Sequence, residues 1–430
     1  MNDLRNKKVL TVLFAALSGG AYWAGVRPSG YGVGPSLGLL WGFYWLLLVY
    51  YIRPDSRFPP KSMFIMFAFI IGLSLGGTQG YGQFNLWMRG RFFFNYSEDP
   101  NTFIAISPVY GYIHLLVCGL TWGGFLALFL AWFLTGKNNW KTWITRAILA
   151  GAGYWGMQLF IILVPRLFLP FYNAGYYADL GTCPTCICPD CQRTIDTARN
   201  TWGYFGIFIV LSLYTMLRNK DSWRIILPIS LGFALTFSNG GFLHMGLVGP
   251  FSLLPWWKFW EFTCGFGGGL TIFSTFWHIE KHGILDKHIN TRDESKPRSY
   301  LSCFWITFYL AAGELGRDRF QQAAKIWYNI FSLDLKLLFM IFGFIIIGMA
   351  AILFLIRFIK CLKQDAGLEC KHLYIKKPTG TFLFILIAYF ILAQLAWIRG
   401  ADLFTYIIPI LNISALVIAL FIFTKIKRRQ

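Results

Sequence analysis

Apolar runs of roughly 18 to 25 residues follow one another along the whole chain, and that spacing admits one kind of fold. A hydrocarbon layer about 30 Å thick takes about 20 residues of helix to cross, and only helices or closed barrels satisfy their backbone groups inside it. The runs lie near 9–26, 31–52, 63–84, 109–134, 147–171, 202–217, 225–243, 259–277, 300–315, 335–357, 379–398 and 403–424. They predict an all-α integral membrane protein of about twelve transmembrane helices. Composition agrees, because charged residues make up only 13% of 430, too few to clothe a water-facing surface of that size.

The formal net charge of +20 raises nucleic acid as a partner, but the placement of the charge points elsewhere. The segments 1–8, 53–62, 136–146, 218–224, 278–300, 357–377 and 425–430 hold 27 of the 39 lysines and arginines, and they are every second connection. By the positive-inside rule these face the cytoplasm, both termini included, of a plasma (inner) membrane. No basic stripe with interleaved aromatics stands apart from the helix flanks, so anionic membrane lipid is the expected electrostatic partner and nucleic acid is not. Arg5, Lys7 and Lys8 before the first run imitate a signal peptide, but the repeat described next argues that this run stays in the protein.

The sequence carries an internal repeat. The first run contains 17 LSGGAYWAG 25 and the fifth 149 LAGAGYWGM 157; the second opens on Trp41-Gly42-Phe43-Tyr44 and the sixth on Trp202-Gly203-Tyr204-Phe205. The third holds 72 GLSLGGTQG 80 and the seventh 232 GFALTFSNG 240, while the fourth and eighth share a Cys-Gly step at Cys118 and Cys264. Matches in the same order divide the chain into residues 1–145 and 146–300, two four-helix units, and residues 301–430, a C-terminal four-helix module. Four is even, so both copies enter the membrane in one orientation, related by a pseudo-twofold axis along its normal.

The glycines in these runs read first as faces where backbones approach closely. The pairs Thr78-Gln79 and Ser238-Asn239 read differently. A side-chain amide in hydrocarbon must find partners, and a glycine after it is a natural helix stop, so the third and seventh spans are expected to break there and face a protein-lined cavity. A plainer reading has the two amides bonding across the pseudo-twofold axis as glue.

Beyond the breaks the copies diverge, with Arg89, Arg91, Glu98 and Asp99 in one and His244 in the other. Arg89 and Arg91 suit an anionic group, or else lipid headgroups and the neighbouring acids. His114 and Glu261 occupy comparable points in the fourth and eighth spans and are candidates for proton coupling. Lys258 and Glu261, three apart among Trp256, Trp257 and Trp260, also fit a wet interfacial ion pair. Arg166 fits either snorkelling or ligand binding.

Cys183, Cys186, Cys188 and Cys191 lie in the extracytoplasmic loop 173–201. Each Cys-Pro-x-Cys resembles a zinc-knuckle or rubredoxin half-site, yet a single residue separates the halves, so disulfides compete with a metal there. His278, His282 and His288 in the cytoplasmic linker have spacings a metal could use, or form a solvated hinge. No nucleotide loop, nucleophile elbow or zinc-protease motif occurs, so no catalytic residue and no cofactor is assigned.

The expected function is permease-like: a multi-pass protein that binds a small polar or anionic solute between pseudosymmetric halves. Thr78, Gln79, Ser238 and Asn239 would form the site, with Arg89 and His244 beside them. The alternatives are a membrane enzyme acting on a lipid or lipid-linked substrate at the outer face, with Glu98, Asp99 or Glu261 as acid or base, and a non-catalytic sensor or assembly subunit.

Overall fold

The computed structural model describes residues 2–26, 59–77, 81–93, 103–135, 138–170, 189–248 and 250–284, with scattered positions within 34–48 and 328–418. Nine helices lie in the continuous stretches: α1 Asn2–Val26, α2 Pro59–Gly77, α3 Gly82–Met88, α4 Pro108–Thr135, α5 Trp140–Leu163, α6 Pro165–Phe168, α7 Pro189–Arg218, α8 Trp223–Gly241 and α9 Trp256–Lys281. A two-stranded antiparallel ribbon, β1 Arg91–Phe93 and β2 Phe103–Ala105, follows α3.

Four of the described segments are long and apolar enough to cross a membrane: Pro108–Thr135, Trp140–Leu163, Thr194–Arg218 and Lys220–Leu247. A fifth is added if Ile65–Gly77 and Gly82–Met88, which meet at a 58° bend, are one broken span. The protein is therefore a helical membrane protein with four to five such spans among the described residues, fewer than the twelve expected. Among the described residues α1 adds an apolar stretch at Lys8–Ala24. In α9, glycines, Trp260 and Glu261 dilute the hydropathy of a helix that is otherwise long enough. Most of residues 301–430 lie outside the described residues.

Local sequence sets several boundaries. Asn139 caps α5 by accepting from the Thr142 amide at 2.9 Å, satisfying one of the helix's unpaired N–H groups. Just inside, Arg146 stacks between Trp132 and Trp143, 4.2 and 4.7 Å from their ring centres, and donates to Asn138 Oδ1 at 2.9 Å. That clasp fixes the α4–α5 turn. Helix α7 starts at Pro189, well inside the stretch expected to be loop, because Pro189 and Asp190 favour a first turn and polar residues extend the helix beyond its apolar part.

Small residues let the spans approach to backbone contact. A side chain at Gly19 would meet the Gly265 carbonyl at 2.7 Å, which places α1 directly on α9. At Gly119 it would meet the Phe233 carbonyl at 2.5 Å, which places α4 on α8. Gly76 faces Trp122 in the same way, bringing α2 onto α4. The expected packing role of the glycines is thus what these glycines do. Central among the spans is α4, covered by α2, α3, α7 and α8 and buried along most of its 28 residues.

On α5, by contrast, Ile144, Ile148, Trp155, Leu159 and Leu163 recur at helical spacing and are exposed, a stripe suited to lipid. The matched tryptophans of the repeat therefore differ in environment: Trp23 is fully buried and Trp155 is 70% exposed.

Candidate functional site

Both copies of the Gly-x-x-Leu-x-x-[Ser/Thr]-[Gln/Asn]-Gly stretch lie where a regular α-helix stops. Helix α2 ends at Gly77, and the chain resumes as α3, turned by 58°. Helix α8 ends at Gly241 and tightens into a 3-10 segment, Phe242–Val248. Thr78 and Gln79 themselves lie outside the described residues.

In the second copy, Ser238 is buried and donates back to the Ala234 carbonyl at 2.9 Å, a bond within its own helix. Asn239 is exposed, and its Oδ1 accepts from the Tyr112 hydroxyl at 3.1 Å, tying the C-terminal end of α8 to the first turns of α4.

The 3-10 segment turns His244 into the interior, where it is fully buried with its ring 4.9 Å from Trp257 and 5.3 Å from Trp260. Trp260 donates to the Phe237 carbonyl at 3.1 Å and lies 5.1 Å from the Tyr81 ring, so α8, α9 and the start of α3 meet here. Glu261 accepts from Trp257 Nε1 at 2.7 Å through one oxygen and is paired with Lys258 through the other. The sequence anticipates this pairing but places it in water. In the structure both side chains are buried, and the 3-10 segment packs against α9 beside them.

One residue here had no part in the sequence expectations. Asn85, on α3, is fully buried, and among the described residues neither its amide nitrogen nor its oxygen has a hydrogen-bond partner. It lies four residues after Tyr81 and three after Gly82, whose missing side chain would point at Trp257, so it shares the face of α3 turned toward α9 and the 3-10 segment. Its signal was a lone amide in 84 FNLWM 88 just past a helix break. Two indole N–H groups nearby, those of Trp23 and Trp122, are likewise buried without partners.

His114 and Glu261 sit in separate clusters with α3 between them: Tyr81 packs on Trp260, while Phe84 and Trp87 pack on the imidazole at 4.6 and 4.9 Å. His114 Nδ1 lies 2.7 Å from the Tyr110 carbonyl, and its Nε2 lies 3.1 Å from Trp202 Nε1. A carbonyl only accepts and an indole N–H only donates, so the imidazole is neutral with its proton on Nδ1. Trp202→Phe should strip Nε2 of its donor and lower stability by about 1–3 kcal/mol, read as a fall in the melting temperature of the detergent-solubilised protein. An unchanged melting temperature would show that the bond carries no weight.

Arg89 closes α3 as its C-cap and is partly buried, and Arg91 stacks on Phe103 at 4.5 Å across the ribbon. Arg166 is exposed on the short helix α6, and its carbonyl accepts from the Tyr110 hydroxyl at 3.2 Å. Cys183, Cys186 and Cys188 lie outside the described residues, as do Glu98, Asp99 and His288, while Cys191 falls in the first turn of α7. At the C-terminal end of α9 the rings of His278 and His282 are 4.6 Å apart. Partial burial, then the adjacent His282, Arg224 and Lys281, hold the His278 imidazole below its ordinary pKa. Among the described residues no group of three or more His, Cys, Asp or Glu side chains is arranged to hold a metal. No family model, curated protein or solved structure matches the chain.

Proposed function

We propose that this is a permease-like membrane protein that binds a small polar solute between residues 1–145 and 146–300, at the level where the third and seventh spans break. The observation that carries the reading is the Asn85 amide. A buried amide left unsatisfied costs about 1–3 kcal/mol, a cost a chain keeps when the group has other work. It lies on the short helix after the 58° bend, one turn past Tyr81, whose ring packs on Trp260 of α9.

In this reading Thr78 and Gln79 supply polar groups at the first break, and Ser238 and Asn239 mark the matching one. His244 lines the inner wall, and Arg89 supplies charge at the rim. Glu261 and His114 are proton-coupling groups, each of which must first leave its present partner. The paired helix stops support a duplicated unit within a twelve-span chain whose termini face the cytoplasm, and the unlike surroundings of Trp23 and Trp155 count against a close match of its outer helices. A disulfide or metal at Cys183, Cys186, Cys188 and Cys191 is proposed independently of this solute reading.

The test is thermal. Asn85→Leu should melt at or slightly above the wild-type temperature, because an unsatisfied polar group is gone, yet lose the stabilisation that a bound solute gives, RT ln(1 + [L]/Kd). A panel of sugars, amino acids, organic anions and phosphate supplies the solutes. A large drop in melting temperature on Asn85→Leu would make the amide structural and remove the observation. A Gln79→Leu, Asn239→Leu double variant with an unchanged solute response would exclude those two residues from the site.

A further inference from the structure

The chemistry at this contact narrows the solute class, an inference that rests on the solute-binding reading above. Three fully or almost fully buried side chains there have hydrogen-bonding atoms without partners: the Asn85 amide and the indole N–H groups of Trp23 and Trp122. They form one path. Trp23 and Trp122 lie 4.9 Å apart, Trp122 is 6.3 Å from Tyr81, and Asn85 is one helical turn beyond Tyr81 on the same face. Opposite them stand rings of the second unit, with Phe237 5.7 Å from Trp23 and 5.8 Å from Trp122, and Trp260 5.1 Å from Tyr81.

We infer that the solute is an uncharged polyhydroxylated molecule, a sugar or polyol, held by the Asn85 amide and the Trp23 and Trp122 indole N–H groups against the Tyr81 and Trp260 rings. The hydrogen-bond inventory requires a partner that both donates and accepts: the amide oxygen needs a donor, and the amide N–H and indole N–H groups need acceptors. A hydroxyl does both, and a polyhydroxylated molecule carries several of them. The aromatic walls match the C–H faces such a molecule also presents, as in sites that are mostly apolar with a few placed polar groups.

Charge argues the same way. Lys258 and Glu261, the two charged side chains buried beside the rings, already neutralise each other. An anion would have to reach Arg89 at the rim to be answered, and a charge buried among the rings away from that guanidinium is far costlier than a hydroxyl.

These rings touch one another, so a ring-sized solute must turn them, and binding should change tryptophan emission. The purified full chain in detergent is titrated with glucose, mannose and myo-inositol, and separately with the anions glucuronate and gluconate, following emission and melting temperature. Saturable responses are expected for at least one neutral solute, at least tenfold tighter than for the anions. Asn85→Leu should weaken it tenfold or more, with Asn85→Ser, which retains a hydroxyl, intermediate. Trp122→Phe should weaken it several-fold while keeping the ring, and the outward-facing Trp155→Phe should leave the affinity unchanged. If the anions bind as tightly or more tightly with the same dependence on Asn85, the neutral class is wrong and the solute-binding reading stands. If no solute of either kind shows a response that depends on Asn85, both fall.

Discussion

Gly119→Leu is expected to abolish the packing of α4 on α8 and with it most of the folded protein. The first added carbon would lie 2.5 Å from the Phe233 carbonyl oxygen and 2.6 Å from the Ala234 Cα. Both are backbone atoms of a neighbouring helix, so no side chain can rotate away, and the two spans must separate along their length. Overpacking usually costs about 1–3 kcal/mol where side chains can give. Here the cost should reach or exceed the top of that range, seen as loss of the monodisperse detergent-solubilised protein or a collapse in melting temperature. Gly151→Leu is the control. On the exposed face of α5 nothing lies within 4 Å, and replacing glycine gains about 0.5–1 kcal/mol of helix propensity, so that variant should melt near or above wild type. Equal behaviour of the two variants would refute the backbone contact.

The second large effect belongs to the buried ion pair. Glu261→Leu leaves the Lys258 ammonium in a dry pocket, and Lys258→Met does the same to the Glu261 carboxylate. Breaking one side of such a pair costs about 3–5 kcal/mol, whereas replacing both sides with apolar groups is often close to neutral. Each single variant should therefore be strongly destabilised. The Lys258→Met, Glu261→Leu double variant should recover most of the loss, short of the bond from Trp257 Nε1, which then has no acceptor. A double-mutant cycle on melting temperature or denaturant midpoint checks this. If the two single effects simply add in the double variant, the charges act independently and the pair does not hold the first turn of α9 in place.

Lys258, Glu261 and Asn85 also mark the limit of what could be seen before the fold was known. The spacing of Lys258 and Glu261 on one helix face predicts that they pair, because i,i+3 geometry is local. It cannot show that the pair is buried, since the 3-10 segment packed beside it comes from the far end of α8. Asn85 was visible as an amide among apolar residues, but its lack of a partner depends on which helices face it. The neutral state of His114 needed both Tyr110, one turn away, and Trp202, 88 residues away.

What the sequence determined by itself is whatever depends on run length, composition and neighbouring residues. That covers the helical membrane class, the extent of α4 to within a residue at each end, and the end of α8 at an amide followed by glycine. The glycine-rich faces belong there too, since only small residues let two spans touch backbone to backbone. The tertiary structure alone decided which glycine meets which helix and why Trp23 is buried while Trp155 faces outward. It also decided where the candidate site lies, among Tyr81, Asn85, Trp122 and Trp260. The physical reason is that burial and hydrogen-bond satisfaction belong to pairs of segments far apart in the chain, and a hydrophobic run of given length packs equally well on many partners until close backbone approach and the placing of a few polar groups select one.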